Sequence, residues 1–227
     1  MSRSRTPVVT AALLVTGALT VNLAFAGLGA VFDYPDVLAK PAGLVLAEFR
    51  AHQGAVVAWF TLLALGAALL VPIAVRLGRL GGGAALRASV PVGIAAAVVQ
   101  VVGLSRWPLV VPGLAAQAAD PATAADAAGT FETLSLILGT IVGETVGYAL
   151  TAAWTVLVVV GLHPALGRVL AGVGVASAVL IVAGVVIPLG VPGADAANFA
   201  GYVLWSMWLV ALAWWVVRPV AAPGAVP

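Results

Sequence analysis

The sequence predicts an all-α fold, an integral membrane bundle of six transmembrane helices, on three observations. Of its 227 residues, 63% are hydrophobic and only 8% are charged, whereas a soluble globular domain is about one quarter charged. Six apolar runs are close to, or longer than, the ~20 residues needed to cross a hydrocarbon core of ~30 Å. The charged residues fall between those runs, apart from Arg106, Glu132 and Glu144.

Residues 1–6 are a basic tip with Arg3 and Arg5, and the first span covers roughly residues 7–31. Its Ala24-Phe25-Ala26 tract has the small-residue pattern of a signal cleavage site. The run is longer than a signal core, however, and contains Asn22, so an uncleaved membrane helix is the reading adopted. The loop from Phe32 to Arg50 carries Asp33, Pro35, Asp36 and Pro41. From Pro41 onward, Leu44, Leu46 and Phe49 with Glu48 and Arg50 predict a short helix lying at the interface. Span two covers 52–75, with Pro72 placed to kink its end. A loop from Arg76 to Arg87, with three consecutive glycines, leads to span three at 88–112, which holds Gln100 and Arg106. An alanine-rich outer loop over 113–129 precedes span four at 131–160. At ~1.5 Å per residue, span four overshoots the bilayer, so its first two turns are expected to project outside. A tight turn at 161–168 leads to span five at 169–189. A short outer loop at 190–198 leads to span six at 199–217. Trp214 and Trp215 read as interface anchors, and Trp205 and Trp208 as packing or lipid contacts.

Six spans put both termini on one side, and the charges choose the side. Arg3, Arg5, Arg76, Arg79, Arg87, Arg168 and Arg218 share one set of ends; only Lys40, Arg50 and Arg106 lie at or near the other. The positive-inside rule then makes both termini cytoplasmic, and the location the cell membrane. The acidic residues follow the same division: none falls in a cytoplasmic loop.

Span four carries the chemistry. Gly139, Gly143, Gly147 and Thr151 recur every four residues and form a small-residue face that a neighbouring backbone can approach closely. Thr133, Thr140, Glu144, Tyr148, Thr151 and Thr155 form a polar stripe beside it. A carboxylate at membrane depth is costly, so Glu144 should face protein or water. Counted from the cytoplasmic ends, Arg106 and Glu144 both lie about seventeen residues in, ~25 Å deep. Consecutive spans are usually neighbours, which makes a buried Arg106–Glu144 pair geometrically reasonable. Tyr148 is one turn below Glu144, with Asn22 and Gln100 at adjoining levels. Together these residues could line a polar pocket on the outer side, capped by Asp33, Asp36 and Glu132. The plainer alternative is a charge pair that only holds two helices in register.

Several classes fall away. Without cysteine there is no disulfide, thiolate metal site or cysteine nucleophile. Asp33 and Asp36, with Pro35 between them, suit an Asx-capped turn better than a metal site. His52 and His163 fall on opposite sides, against a shared haem, and no metal or cofactor is expected. No basic cluster suggests nucleic acid. Three functions remain. The first is a non-enzymatic binding or accessory module, its pocket taking a lipid headgroup, a small anion or a partner helix. The second is an enzyme on a lipid or isoprenoid substrate, with Glu144 as acid or base. The third is a small-solute or proton-coupled transporter, against which stands the lack of an evident inverted repeat. The bilayer is the expected partner in all three, and the glycine faces would also suit a homo-oligomer.

Three stretches carry a resemblance: FDYPDVL with the following PAGLVLAEFRA, VVQVVGLSRWPLVVPGLA, and FETLSLILGTIVGETVGYALTAAWTVL. Over roughly residues 20–190 the chain resembles a bacterial, commonly actinobacterial, family of multi-pass membrane proteins catalogued as a domain of unknown function, numbered 4386. Relatives often read Gly-Glu-His-Leu-Gly-Tyr in span four, where this chain has Gly143-Glu144-Thr145-Val146-Gly147-Tyr148. The resemblance implies a helical membrane bundle and brings no activity. Any role of that histidine in relatives would be missing here, because Thr145 replaces it.

Overall fold

The computed structural model describes residues 5–163 and 165–218. The basic tip at 1–4, Pro164 in the turn after span four and the tail from 219 lie outside the described residues. Among the described residues there are helices and no strands, and six helices are long and apolar enough to cross a membrane.

Span one is α1, Arg5–Phe32. A 3-10 turn, Asp36–Ala39, and α2, Ala42–Ala51, follow it. Span two is divided into α3, Gln53–Ala68, and α4, Leu70–Gly78. Proline has no N–H to donate four residues back, and its ring crowds the carbonyl there. For Pro72 that carbonyl belongs to Ala68, so the break falls at Leu69, earlier than the kink expected at the end of the span. Span three combines α5, Ala84–Leu109, and α6, Val111–Gln117, with Pro108 and Pro112 on either side of the break at Val110.

Span four is continuous over 39 residues, Ala124–Leu162. It comprises α7, Ala124–Leu134, a π-helical stretch, Ser135–Val146, and α8, Gly147–Leu162. The loop expected over 113–129 is therefore mostly helical. Alanine has the highest helix propensity, and it outweighs the turn signals of Asp120, Pro121 and Asp126 everywhere except at 118–123. Span five is α9, Arg168–Val182, tightening into 3-10 turns over Ala183–Leu189. Span six, α10, Ala194–Val217, begins five residues before the expected start at 199. Its connection shrinks to 190–193 because Gly190 and Gly193 turn at φ 71° and 78°, a region glycine enters without steric cost.

Contacts run from α1 to α3, α3 to α5, α5 to α8, α8 to α9, α9 to α10, and from α10 back to α1. The spans form a ring in chain order, as short connections between antiparallel neighbours favour. Two apolar cores fill it. Toward the arginine-bearing end, buried Trp154 meets Trp205 and Trp208 edge-on at 6.0 and 6.2 Å. The Trp205 indole donates to Thr155 Oγ1 at 2.9 Å, and that of Trp208 to the Leu170 carbonyl at 3.0 Å. At the acidic end, buried Trp107 stacks on Phe60 with ring centres 4.5 Å apart, and Phe32, Phe49 and Phe131 surround it. The short helix after span one, α2, buries Val45, Leu46 and Phe49 in this core and lies against α6 and α7. The bundle itself thus covers Leu46 and Phe49 of the expected apolar set, while Leu44 stays exposed. Of the other tryptophans, Trp214 is exposed beneath the Arg218 guanidinium, and Trp215 donates to the Ala165 carbonyl at 3.1 Å.

Candidate functional site

Spans three and four approach each other through glycine. A methyl group on Gly103 would sit 2.7 Å from the Leu138 carbonyl oxygen and 2.8 Å from Gly143 Cα, so the two backbones touch there. One turn away, Gly139 leaves the space that the Arg106 guanidinium occupies; a methyl at Gly139 would lie 2.6 Å from Nη2. On the other side, Gly147 faces the Gln100 side chain. The small-residue row of span four thus turns toward span three along its length, through the π-helical stretch and into α8. π-Helix is rare, and its usual form, a single-turn bulge within an α-helix, is frequent at functional sites.

Arg106 is the buried charge of this region, 5% exposed. Its Nη1 donates to the Gly103 carbonyl of its own helix at 2.6 Å, while its Nε has no hydrogen-bond partner. The Ser135 hydroxyl, at the start of the π-helical stretch, is also buried without a partner. Both residues border a cavity of about 480 Å³. Leu38, Lys40, Pro41 and Ala42 form one wall. Span four forms the other with Phe131, Glu132, Ser135, Leu136, Thr140 and Glu144.

Arg106, Glu144 and Glu132 therefore border the same space, together with Lys40, Ser135 and Thr140, which the sequence reading did not place there. Among the described residues, Arg106 and Glu144 make no ion pair: both ion pairs belong to Lys40, at 3.0 Å from Glu48 and 3.4 Å from Asp33. The reason lies in Arg106 itself, whose guanidinium folds back onto Gly103.

The remaining candidates lie elsewhere. Asn22 donates to the Ala18 carbonyl at 2.7 Å and to Ser206 Oγ at 2.9 Å, tying α1 to α10. Gln100 donates to Thr151 Oγ1 at 3.0 Å within the α5–α8 seam. Tyr148 lies over Gly184 and meets Tyr202 at 5.7 Å. Asp33 is exposed and holds Lys40, and Asp36 is exposed in the 3-10 turn. His52 and His163 are both exposed. The sequence did hold a signal for the missed wall: Lys40-Pro41 lies in the polar first loop, and Thr140 is in the polar stripe of span four.

Residues 9–213 match the family model described as a domain of unknown function (DUF4386). The chain belongs to this family. The match takes in every residue around the cavity, from Leu38 to Glu144. No curated protein and no solved structure matched the chain. In this DUF4386 protein Thr145, where the chain departs from the pattern described above, is not among the residues lining the cavity.

Proposed function

We propose that this DUF4386 protein is a non-enzymatic binding module of a bacterial cell membrane, with both termini cytoplasmic, and that the cavity bordered by Arg106 and Glu144 holds its ligand. The observation that carries the reading is the state of Arg106: a guanidinium only 5% exposed, with Nε unpartnered, beside a space of about 480 Å³. Cavities of ~300–1,000 Å³ with a few convergent polar groups are the usual form of small-ligand sites. Among the described residues, Arg106 has the Gly103 carbonyl and, at 5.3 Å, the Trp107 ring beside it, but no carboxylate in an ion pair; a buried charge without an ionic partner costs several kcal/mol, and a bound anionic group would lower that cost. The orientation rests on the arginines at the ends of α4, α5, α9 and α10, opposite the acidic loops.

A double-mutant stability cycle separates this reading from an ion pair that merely pins two helices. Arg106→Gln and Glu144→Gln, alone and together, would be denatured in lipid-free detergent. A small coupling, no more than about 1 kcal/mol, is expected of groups that share a cavity without touching. A coupling well above 1 kcal/mol would favour the structural pair and overturn the proposal.

A further inference from the structure

We infer that the ligand is zwitterionic and lipid-borne: its anionic group meets Arg106, its ammonium group meets Glu144, and its acyl chains lie outside the cavity along span four. The inference rests on the binding reading above and names the class of ligand.

Charge balance argues for the zwitterion. Lys40 is already matched by Glu48 and Asp33. Among the described residues that border the cavity, that leaves Arg106 as the cation available to a ligand, with Glu144 and the exposed Glu132 as the anions. A simple anion bound at Arg106 would face two carboxylates, and like charges across a low-dielectric space repel strongly. A simple cation would face Arg106. A ligand with one charge of each sign satisfies Arg106 and Glu144 together, and the unpartnered Arg106 Nε and Ser135 hydroxyl are left as donors for a phosphate or carboxylate oxygen.

Depth and surface argue for the lipid. Arg106 is nineteen residues past Arg87, the last charged residue before it in α5. At ~1.5 Å per residue that is ~28 Å along the helix, close to the far boundary of a core of ~30 Å, where the headgroup layer begins. The cavity is bordered by Leu136, which is 56% exposed, and Ile137 and Ile141 on the same stretch are 47% and 49% exposed. An apolar strip thus leads away from the polar space, where an acyl chain would run.

Phosphatidylethanolamine is the test lipid, against phosphatidylglycerol with the same chains and against glycerophosphoethanolamine, which has the headgroup without chains. Delipidated protein in mild detergent would be offered the two lipids at equal concentration and the bound masses counted. The expected result is at least about a tenfold preference for phosphatidylethanolamine. That preference should fall toward unity in Glu144→Gln, and Arg106→Gln should lose both lipids. Equal or better retention of phosphatidylglycerol by the unsubstituted protein would overturn the zwitterion and leave the binding module standing. Glycerophosphoethanolamine binding as tightly as the intact lipid would overturn the lipid-borne part. No retention of either lipid would overturn the whole inference; the unsubstituted protein decides this even where a variant fails to fold. An endogenous adduct, sought separately in protein that has not been delipidated, would still show whether the cavity binds anything.

Discussion

Gly103 shows at one residue how the site is built. A methyl group there would meet the Leu138 carbonyl and Gly143 Cα, both backbone atoms that have no rotamer to change. Gly103→Ala is therefore expected to lower stability by about 1–3 kcal/mol. Gly113→Ala, with nothing within 4 Å of the added atom, should stay within about 0.5 kcal/mol. Chemical denaturation in detergent would compare the two. Tyr34, just beyond span one, gives a pH prediction. Burial, and then the charge of Glu144, raises its phenol above the ordinary value, while Arg106 opposes the shift. A raised folded value means that this contribution to stability is complete below about pH 10 and is lost as the pH climbs beyond it. In an ultraviolet titration, Tyr34→Phe should keep the full ordinary tyrosine step of the unsubstituted protein near about pH 10 and lose only late-ionising absorbance; a smaller ordinary step in the variant would refute the shift. At this scale the sequence made the company of Arg106 and Glu144 readable, because counting residues along two adjacent spans fixes their depth. Their lack of direct contact was hidden, since it depends on Arg106 folding back onto the Gly103 carbonyl at 2.6 Å.

Among the elements, the existence of six spans was legible and their ends were not. Hydropathy marks the middle of a span, but local propensity and packing decide where its helix stops. The alanine-rich stretch reads as a loop from Asp120, Pro121 and Asp126, yet α7 forms there and buries Ala127 and Phe131. Ala127→Asp should therefore destabilise the protein strongly, because it would place a carboxylate at a site 1% exposed. Ala125→Asp, on the exposed side of the same helix, should be tolerated. Equal tolerance of both, read from melting temperatures in detergent, would mean that the stretch behaves as a loop. Asn198 misled in the same way. It looks like a loop residue, but its amide donates to the Ile181 carbonyl at 2.7 Å inside the bundle, and α10 starts before it.

In the whole molecule, the ring of spans gathers Arg76, Arg79, Arg87, Arg168 and Arg218 at one end and most of the acidic side chains, with Arg50 and Arg106, at the other. The chain has no cysteine, so single introduced cysteines report sidedness cleanly. Asp126→Cys should react with a membrane-impermeant maleimide in intact cells, and Arg79→Cys only after lysis; the reverse pattern would invert the topology. The ring also gives the cavity its place, between the wall made by the first loop and the start of α2 and the π-helical stretch of span four. The sequence reading expected a polar pocket around Arg106 and Glu144 but not its lining by Lys40 and Ser135, which depends on how α2 docks on α7. The most direct measurement is native mass spectrometry of the protein purified in mild detergent without delipidation, alongside Arg106→Gln and with extraction of whatever is bound. A single small adduct per chain, lost in Arg106→Gln while the variant keeps its fold, is the expected result. A bare chain mass in the unsubstituted protein, or an adduct that survives in Arg106→Gln, would contradict a binding cavity at Arg106 and Glu144.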